Sequence, residues 1–323
     1  MREKLCFGVD IGGTKTAVIA GRERSGDIEI LERAAFPSSP EDPETTLAGI
    51  LRLLESFAAV YGAPGAIGVA CGGPLDAGRG VIHAPPNLPG WNGVAVTERI
   101  QSRMHVPAVL ENDADAGALA EHRYGAGRGA DNMIFLTFGT GLGAGLILNG
   151  ALYRGSTGCA GEIGHVRLAP DGPVGYRKAG SFEGFCSGGG LSQLGRMCIL
   201  RHLERGDATP WAESHRGSKA LTAREIAGAA RDGDAIAREV MALCGARFGE
   251  GLSILIDILN PQRIIAGSIF YRCRDLLLAP MEQAIRREAL PGSARACAIL
   301  PAQLGEQIGD YAALSIAFSH ADR

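Results

Sequence analysis

Short apolar runs interrupted by glycines dominate the first part of the chain. Residues 5–9 and 17–20 are two such runs, and the glycine turn between them indicates a β-hairpin. Apolar positions within residues 46–61 recur at the spacing of a helix. The next apolar run, AIGVACGGP, ends in two glycines and a proline, which is typical of a buried strand followed by a turn.

The same layout returns in the middle of the chain. A strand is predicted for PAVLEND, and it leads directly into the helical run ADAGALAEHRYG. The stretch NMIFLTFGTGLGAGLIL then gives an apolar strand, a glycine turn with a threonine, and a second apolar strand. The two strand–turn–strand stretches predict two related halves, although they are too dissimilar to form a sequence repeat.

The second half of the chain is richer in helices. Thr222 and Glu225 have the spacing of a capping box at a helix start. Residues 235–259 predict a long amphipathic helix that ends before Pro261. A short strand, RIIAG, and a final helix after a loop complete the pattern. Interleaved strands and helices predict an α/β fold with its sites at strand ends.

Composition narrows the functional classes. The 323 residues carry a net charge of −3, which argues against a broad nucleic-acid surface because such surfaces are usually basic. No two of the eight cysteines form a Cys-x-x-Cys pair, which favours buried thiols in a reducing compartment. The N-terminal apolar run meets Asp10 too early for a signal peptide, and no run has the length of a membrane span. We expect a soluble cytoplasmic protein without nucleic-acid or membrane partners.

Six motifs, taken in order, resemble the ROK family of repressors, open reading frames and sugar kinases. They are DIGGTK, PNLPGW, END, GTGLG, GEIGH and the later Glu183. The resemblance runs from about Phe7 to GDYAAL near the C-terminus. It implies the two-domain actin-like ATPase fold, which is a ribonuclease H-like α/β fold with the active site in the interdomain cleft. We expect a smaller domain at residues 1–111, completed by a C-terminal helix at 306–323, and a larger domain at 112–305.

The first glycine loop is a candidate phosphate site. Gly12 and Gly13 permit a tight turn whose N–H groups can approach phosphate oxygens. Thr14 adds a hydroxyl donor and Lys15 a positive charge. Asp10 would repel bare phosphate, so its presence indicates Mg²⁺ between them, bound directly or through water. The resemblance assigns this loop to ATP, and an ordinary Asp-Gly-Gly hairpin is the alternative.

A second glycine loop contains Thr140 and Gly141, where loop amides after a strand could face a ligand. The resemblance assigns this loop to ATP phosphates as well, although glycine spacings of this kind also occur in many ordinary turns. Gly267, after RIIA, matches the adenosine side of the family site. Ser268 and Ile269 follow it where the family usually has further glycines, so the wall around the base departs from the family pattern.

Asn112 and Asp113 are the candidates for chemistry. Phosphoryl transfer to a sugar hydroxyl requires a carboxylate that orients the nucleophile and accepts its proton, and a strand-end aspartate suits this task. The neighbouring amide can donate and accept hydrogen bonds to sugar hydroxyls. A helix N-cap is the alternative role for Asp113. The resemblance favours catalysis, with Asp113 preferred over Asp115 as the base.

Several polar positions match the sugar side of the family site. Glu162 and His165 in GEIGH are three residues apart, so both can face one ligand. Glu183, Asn87 and Gly73 match further sugar contacts, from three separate segments. Each of these residues alone could be an ordinary turn or surface residue. Together they supply the several donors and acceptors that a sugar requires.

The segment GPVGYRKAGSFEG departs most from the family pattern. Many relatives have three zinc-binding cysteines here, and this chain has Val174, Tyr176 and Ser181 at those positions. Valine and serine offer no thiolate, and one histidine cannot hold zinc alone. Cys159 and Cys186 lie nearby at the wrong spacing. We expect no zinc site.

These features predict an ATP- and Mg²⁺-dependent hexose kinase, glucokinase-like, acting at the 6-hydroxyl. Another hexose or N-acetylhexosamine is an alternative substrate. A sugar-binding regulatory protein without catalysis is a second alternative, but the retained Asp10, Lys15, Asp113 and Thr140 argue against it. A repressor is disfavoured, because only nine residues precede Asp10 and leave no room for a DNA-binding domain. The resemblance further implies a homodimer.

Overall fold

The computed structural model describes residues 3–217 and 221–321 and is built from alternating strands and helices. Its strands are β1 Lys4–Ile11, β2 Lys15–Arg24, β3 Asp27–Pro37, β4 Ile67–Cys71, β5 Leu75–Asp76, β6 Val81–His83, β7 Asn92–Ala95, β8 Ala108–Asn112, β9 Met133–Leu136, β10 Ala144–Leu148, β11 Ala151–Tyr153, β12 Val174–Gly175, β13 Lys178–Ala179, β14 Arg263–Ala266 and β15 Ala298–Pro301. Its α-helices are α1 Pro43–Tyr61, α2 Val96–Met104, α3 Asp113–Tyr124, α4 Phe182–Phe185, α5 Gly188–Arg205, α6 Pro210–Ser214, α7 Ala223–Arg231, α8 Ala235–Leu259, α9 Ile269–Glu288, α10 Pro291–Ala296 and α11 Ile308–Ala321. Two 3₁₀ turns lie at Ile163–His165 and Gly305–Gln307.

Two five-stranded sheets have the same topology. The first has the order β3-β2-β1-β4-β8 and the second β11-β10-β9-β14-β15. In each sheet the first two pairings are antiparallel and the last two are parallel. This repetition confirms the prediction of two related halves.

Each predicted glycine turn joins two antiparallel strands. In the first sheet, Ile11 pairs with Thr16, and Gly12 N–H donates to the Lys15 carbonyl at 3.1 Å. In the second, Leu136 pairs with Ala144, and the residues between them form the GTGLG loop. The two loops therefore occupy equivalent places in the two halves.

Helix ends follow the sequence signals. Thr222 and Glu225 form the predicted capping box at the start of α7. Helix α8 spans the predicted residues 235–259, and Asn260 ends it in the left-handed conformation, at φ 43°. Helix α1 begins slightly earlier than predicted because Asp42 caps it through the Glu44 and Thr45 N–H groups.

Helices cover both faces of the first sheet. On one face, Phe7 packs edge-to-face against Phe57 of α1, and both are fully buried. On the other face, α11 lies so close to the sheet that a Cβ at Gly68 would come within 2.1 Å of the Ala313 carbonyl. Glycine in β4 thus permits direct contact between the C-terminal helix and the N-terminal sheet.

The second sheet packs against the longest helix. Phe248 of α8 contacts Phe138, Phe182 and Phe270, with ring centroids 4.9, 6.0 and 5.5 Å away. Helices α5, α7 and α9 extend this core. The proposed domain limits at 1–111 with 306–323, and 112–305, stay a prediction, and residues 1, 2, 322 and 323 lie outside the described part of the chain.

Candidate active site

Three parallel strands place the candidate residues at one edge of the first sheet. Ile11 of β1 pairs with Cys71 of β4, and Cys71 pairs with Asn112 of β8. Because parallel strands end at the same edge, the segments after them converge. A Cβ added at Gly73 would lie 3.3 Å from Asn112 Nδ2, and one at Gly72 would lie 4.0 Å from Asp113 Oδ2. The structure therefore brings the predicted Gly73, Asn112 and Asp113 together.

Asn112, rather than Asp113, caps helix α3. Asn112 Oδ1 accepts a hydrogen bond from Ala114 N–H at 2.9 Å, and Asp113 is the first residue of the helix. The alternative role of Asp113 as an N-cap is therefore wrong. The physical reason is that the β8 backbone stays extended through Asn112 and turns helical only at Asp113. Asn112 Nδ2 faces Gly73, and the Asp113 carboxylate interacts with Ala114 N–H without being the capping group.

The Asp113 carboxylate lies at a partly desolvated position beside Gly72. Its surface is exposed, yet protein surrounds it, and this desolvation raises the pKa of Asp113 while Ala114 N–H opposes the rise. A raised pKa makes the carboxylate a stronger base than an ordinary surface aspartate. The residue can accept a proton from a hydroxyl group within hydrogen-bond distance.

Asp10 lies in a crowded acidic environment at the end of β1. Burial, followed by the charges of Asp310 and Asp113, raises the pKa of Asp10 to about 6. Gly309 comes so close that an added Cβ would lie 2.5 Å from Asp10 Oδ2. Asp310 itself pairs with Arg33 at 2.8 Å. The sequence analysis assigned no role to Arg33, Gly309 or Asp310. The available signal for Gly309 and Asp310 was the family-like stretch GDYAAL, which begins with them.

The donor set near Asp10 fits Mg²⁺. Within residues 3–217 and 221–321, no three histidine, cysteine or carboxylate side chains form a metal-binding group. Mg²⁺ bound to nucleotide needs only one or two carboxylates, because phosphates and water supply its other ligands. Burial and the neighbouring acids make the ionised form of Asp10 unfavourable, so a cation beside it would stabilise the carboxylate. Lys15 and Thr14 are exposed beside it, where a phosphate can reach them.

The second glycine loop is held from two sides. Glu183 Oε2 accepts from Leu142 N–H at 3.1 Å, and a Cβ at Gly141 would lie 2.9 Å from the same oxygen. Gly188 N–H donates to the Gly139 carbonyl at 2.8 Å. Thr140 at the tip is exposed. Glu183, assigned to the sugar side from the sequence, therefore also supports a loop assigned to phosphate.

Sequence reasoning missed the start of α5. Ser187 caps this helix through Gly190 N–H, and Gly188 and Gly189 form its first turn beside Gly139. Three consecutive glycines after a serine were the available signal. Because Gly188 N–H bonds to the Gly139 carbonyl and Gly190 N–H bonds to Ser187 Oγ, this turn supports the second glycine loop.

Gly267 positions the next residue against the second loop. Its N–H donates to the Leu136 carbonyl at 2.9 Å, which continues the pairing of β14 with β9. Ser268 then takes φ 47°, a left-handed conformation that glycine adopts more easily. A Cβ added at Gly139 would lie 3.6 Å from Ser268 Oγ. The position where the family usually has glycine thus keeps a glycine-like backbone.

The sugar-side candidates gather around the two loops. Asn87 lies against the first loop, since a Cβ at Gly13 would be 2.6 Å from both its Cβ and its carbonyl oxygen. His165 Nε2 lies 3.9 Å from Glu162 Oε2, and its ring contacts Tyr176 edge-on at 5.0 Å. A Cβ at Gly164 would lie 3.3 Å from the Glu183 Cβ. The residues from GEIGH and Glu183 are therefore neighbours.

The segment that lacks the zinc cysteines is held by polar contacts. Gln193 Oε1 accepts from Val174 N–H and Gln193 Nε2 donates to the Val174 carbonyl, both at 2.9 Å. Ser181 caps α4 by accepting from Gly184 N–H at 3.1 Å. Cys186 is buried, with its thiol 3.6 Å from the Cys244 carbonyl, and Cys159 is exposed. The absence of zinc stays a prediction.

Comparison with known proteins identifies the family. A model of the ROK family matches residues 6–319. The chain belongs to the ROK family. A glucokinase of Streptomyces coelicolor is 32% identical in an alignment 322 residues long that covers 97% of each chain.

Solved structures agree on the fold. A ROK hexokinase from Thermus thermophilus matches with a TM-score of 0.81 and 27% identity over 99% of each chain. A ROK glucokinase from Streptomyces griseus, solved with glucose and AMPPNP, matches with a TM-score of 0.75 and 31% identity, covering 98% of this chain and 99% of the other. The chain has the two-domain actin-like ATPase fold of this family. No helix in the described part of the chain is long and apolar enough to cross a membrane.

Proposed function

We propose that the chain transfers the γ-phosphoryl group of ATP to the 6-hydroxyl of a hexose, with glucose as the first candidate. The observation that carries this proposal is the position of Asp113. Asp113 is the first residue of α3 and not its N-cap, and its carboxylate is partly desolvated and lies next to the glycine turn after β4 and near Asp10. The similarity to glucokinases at about 30% identity supports the choice of sugar.

Asp113 orients the attacking hydroxyl and accepts its proton. Phosphoryl transfer depends mainly on positioning and charge stabilisation, so a correctly positioned carboxylate is the main acid–base requirement. The raised pKa of Asp113 favours proton acceptance from the attacking hydroxyl. Asn112 Nδ2 and Gly73 border the same place and can hold the sugar.

The two glycine loops bind the triphosphate from the two halves of the molecule. Gly12 closes the first turn through its bond to the Lys15 carbonyl, and Gly13, Thr14 and Lys15 then present an N–H group, a hydroxyl and a cation from one side. Thr140 and Gly141 supply a hydroxyl and an N–H group from the other side. Gly267 borders the nucleoside. Mg²⁺, when bound, neutralises phosphate charge, and Asp10 is the residue that would hold it directly or through water.

The sugar is held by residues that also touch the loops. Asn87 packs on Gly13, and Glu183 bonds to Leu142 N–H. Glu162 and His165 provide further hydroxyl contacts. Because sugar residues and phosphate loops share contacts, sugar binding favours closure, which excludes water and limits ATP hydrolysis. We further infer a homodimer, a cytoplasmic location and the domain limits given above.

A coupled ADP-release assay over glucose, fructose, mannose, allose and N-acetylhexosamines tests the proposal. We expect turnover with at least one hexose and the highest kcat/KM with glucose. A higher kcat/KM with another sugar would replace glucose as the substrate. Folded protein that turns over none of them would contradict the kinase and favour a sugar-binding regulator.

A further inference from the structure

Arg154 joins two segments that carry opposite parts of the site. The residue directly follows β11, an edge strand of the second sheet. Its Nε and Nη2 donate to Glu111 Oε1 at 2.9 and 2.5 Å, and Nε lies 3.3 Å from Oε2. Its main-chain carbonyl accepts from Ala160 N–H at 3.1 Å. One residue thus contacts both β8 and the loop before GEIGH.

Both contacts lie two residues from a candidate functional side chain. Glu111 lies in β8, two positions before Asp113 at the start of α3, and is only 3% exposed. Ala160 precedes Glu162 by two positions. The loop between them has little freedom, because a Cβ at Gly161 would come within 1.9 Å of the Ala144 carbonyl. A displacement of Arg154 would therefore move both segments.

The charges around this contact make the pair costly to break. Asp115 is 5% exposed, and its Oδ1 has no hydrogen-bond partner among the described residues. Glu111, Asp113 and Glu162 add negative charge around Asp115, and Arg154 is the cation that opposes them. Loss of the guanidinium would leave the Glu111 carboxylate buried without its ion-pair partner.

We propose that Arg154 is a positioning residue that fixes the distance between the base Asp113 and the sugar-binding loop of Glu162 and His165. This inference rests on the proposed kinase function. Positioning errors of about 1 Å can cost about 100-fold in rate, so a residue that spans both segments controls turnover without touching the sugar. Among the described residues, Arg154 makes no hydrogen bond to the first glycine loop, so we expect its loss to affect MgATP binding less than sugar binding.

Steady-state kinetics and calorimetric glucose titration without nucleotide test the inference with Arg154→Met. We expect kcat to fall by about tenfold or more and glucose affinity to fall by about threefold or more, while the KM for MgATP stays within about twofold. Arg154→Lys, which keeps one charged donor, should recover part of the loss. Arg231→Met is the matched control, because Arg231 makes a two-point ion pair with Asp275 at 2.8 Å on the surface.

Glu111→Gln provides the second arm and covers the case in which Arg154→Met does not fold. This substitution removes the negative charge that pairs with Arg154, so it should lower kcat as Arg154→Met does. In the double variant with Arg154→Lys, the two losses of kcat should be non-additive. Normal kcat and glucose affinity in folded Arg154→Lys and Glu111→Gln, or losses no larger than those of Arg231→Met, would overturn the inference. Wild-type protein without turnover on any sugar would instead contradict the kinase proposal, and the glucose titration would still test the positioning.

Discussion

Asp115→Asn is expected to stabilise the ligand-free protein at pH 8. Burial first, and then the charge of Glu111, raises the pKa of Asp115 from an ordinary 3.8 to about 7, although Arg154 opposes the rise. Its Oδ1 has no partner among the described residues, so the substitution breaks no hydrogen bond there. Asparagine has nearly the same shape and carries no charge. It removes the cost of a buried carboxylate while keeping the packing.

The size of the effect follows from the pKa difference. A move from 3.8 to about 7 corresponds to about 4 kcal/mol at 1.36 kcal/mol for each pH unit. The folded protein binds this proton more tightly than the unfolded chain. The stabilising contribution of the protonated form is therefore complete below about pH 4 and is lost as the pH rises to about 7. The variant should exceed wild type by about 4 kcal/mol at pH 8 and by less than about 1 kcal/mol at pH 4.

Urea unfolding followed by the fluorescence of Trp91 and Trp211, from pH 4 to pH 8, measures the difference. Asp232→Asn is the control, because Asp232 is exposed at the end of α7. The control should change the free energy of unfolding by less than about 0.5 kcal/mol at every pH. Equal stability of Asp115→Asn and wild type at pH 8, or a difference independent of pH, would refute the reasoning.

Three further substitutions separate the parts of the site. Asp10→Ala should weaken MgATP use and slow turnover but leave calorimetric glucose binding nearly intact, and abolished glucose binding would contradict the assignment of Asp10 to the metal. Gly13→Ala places a Cβ 2.6 Å from Asn87 and should weaken the binding of both glucose and MgATP by about 1–3 kcal/mol. Weaker binding of only one ligand would contradict the proposal that the two ligand sites share the Gly13–Asn87 contact. Glu183→Ala should lower glucose affinity by about threefold to tenfold and also raise the KM for MgATP, because Leu142 N–H loses its acceptor. An unchanged KM for MgATP would show that this bond does not order the loop.

Local sequence signals predicted the glycine turns and several helix limits. The turns at residues 12–13 and 139–143 coincide with glycine-rich stretches between apolar runs, and the limits of α8 follow its apolar spacing and Asn260-Pro261. The prediction of two related halves followed from the same strand–turn–strand order appearing twice. These features depend on residues close in sequence, so the sequence was sufficient.

Contacts between distant segments were not accessible in the same way. The Arg154–Glu111 pair joins residues 43 positions apart, and the bond from Leu142 N–H to Glu183 joins residues 41 apart. Nothing in either local stretch specifies its partner, because the partners meet only when the two sheets assemble. Asn112 and Asp113 compete for one cap, and only the backbone angle at Asn112 decides between them. The roles of individual candidate residues stay predictions that the experiments above address.

The central claim is that Asp113 promotes phosphoryl transfer from ATP to the 6-hydroxyl of a hexose. Phosphorus NMR of the products formed from glucose and MgATP, by wild type and by Asp113→Asn, tests it most directly. Wild type should produce glucose 6-phosphate, and the variant should form the same product about 10²–10⁴-fold more slowly while binding glucose with similar affinity. A wild-type product phosphorylated at another position, or near-normal turnover by Asp113→Asn, would contradict the account.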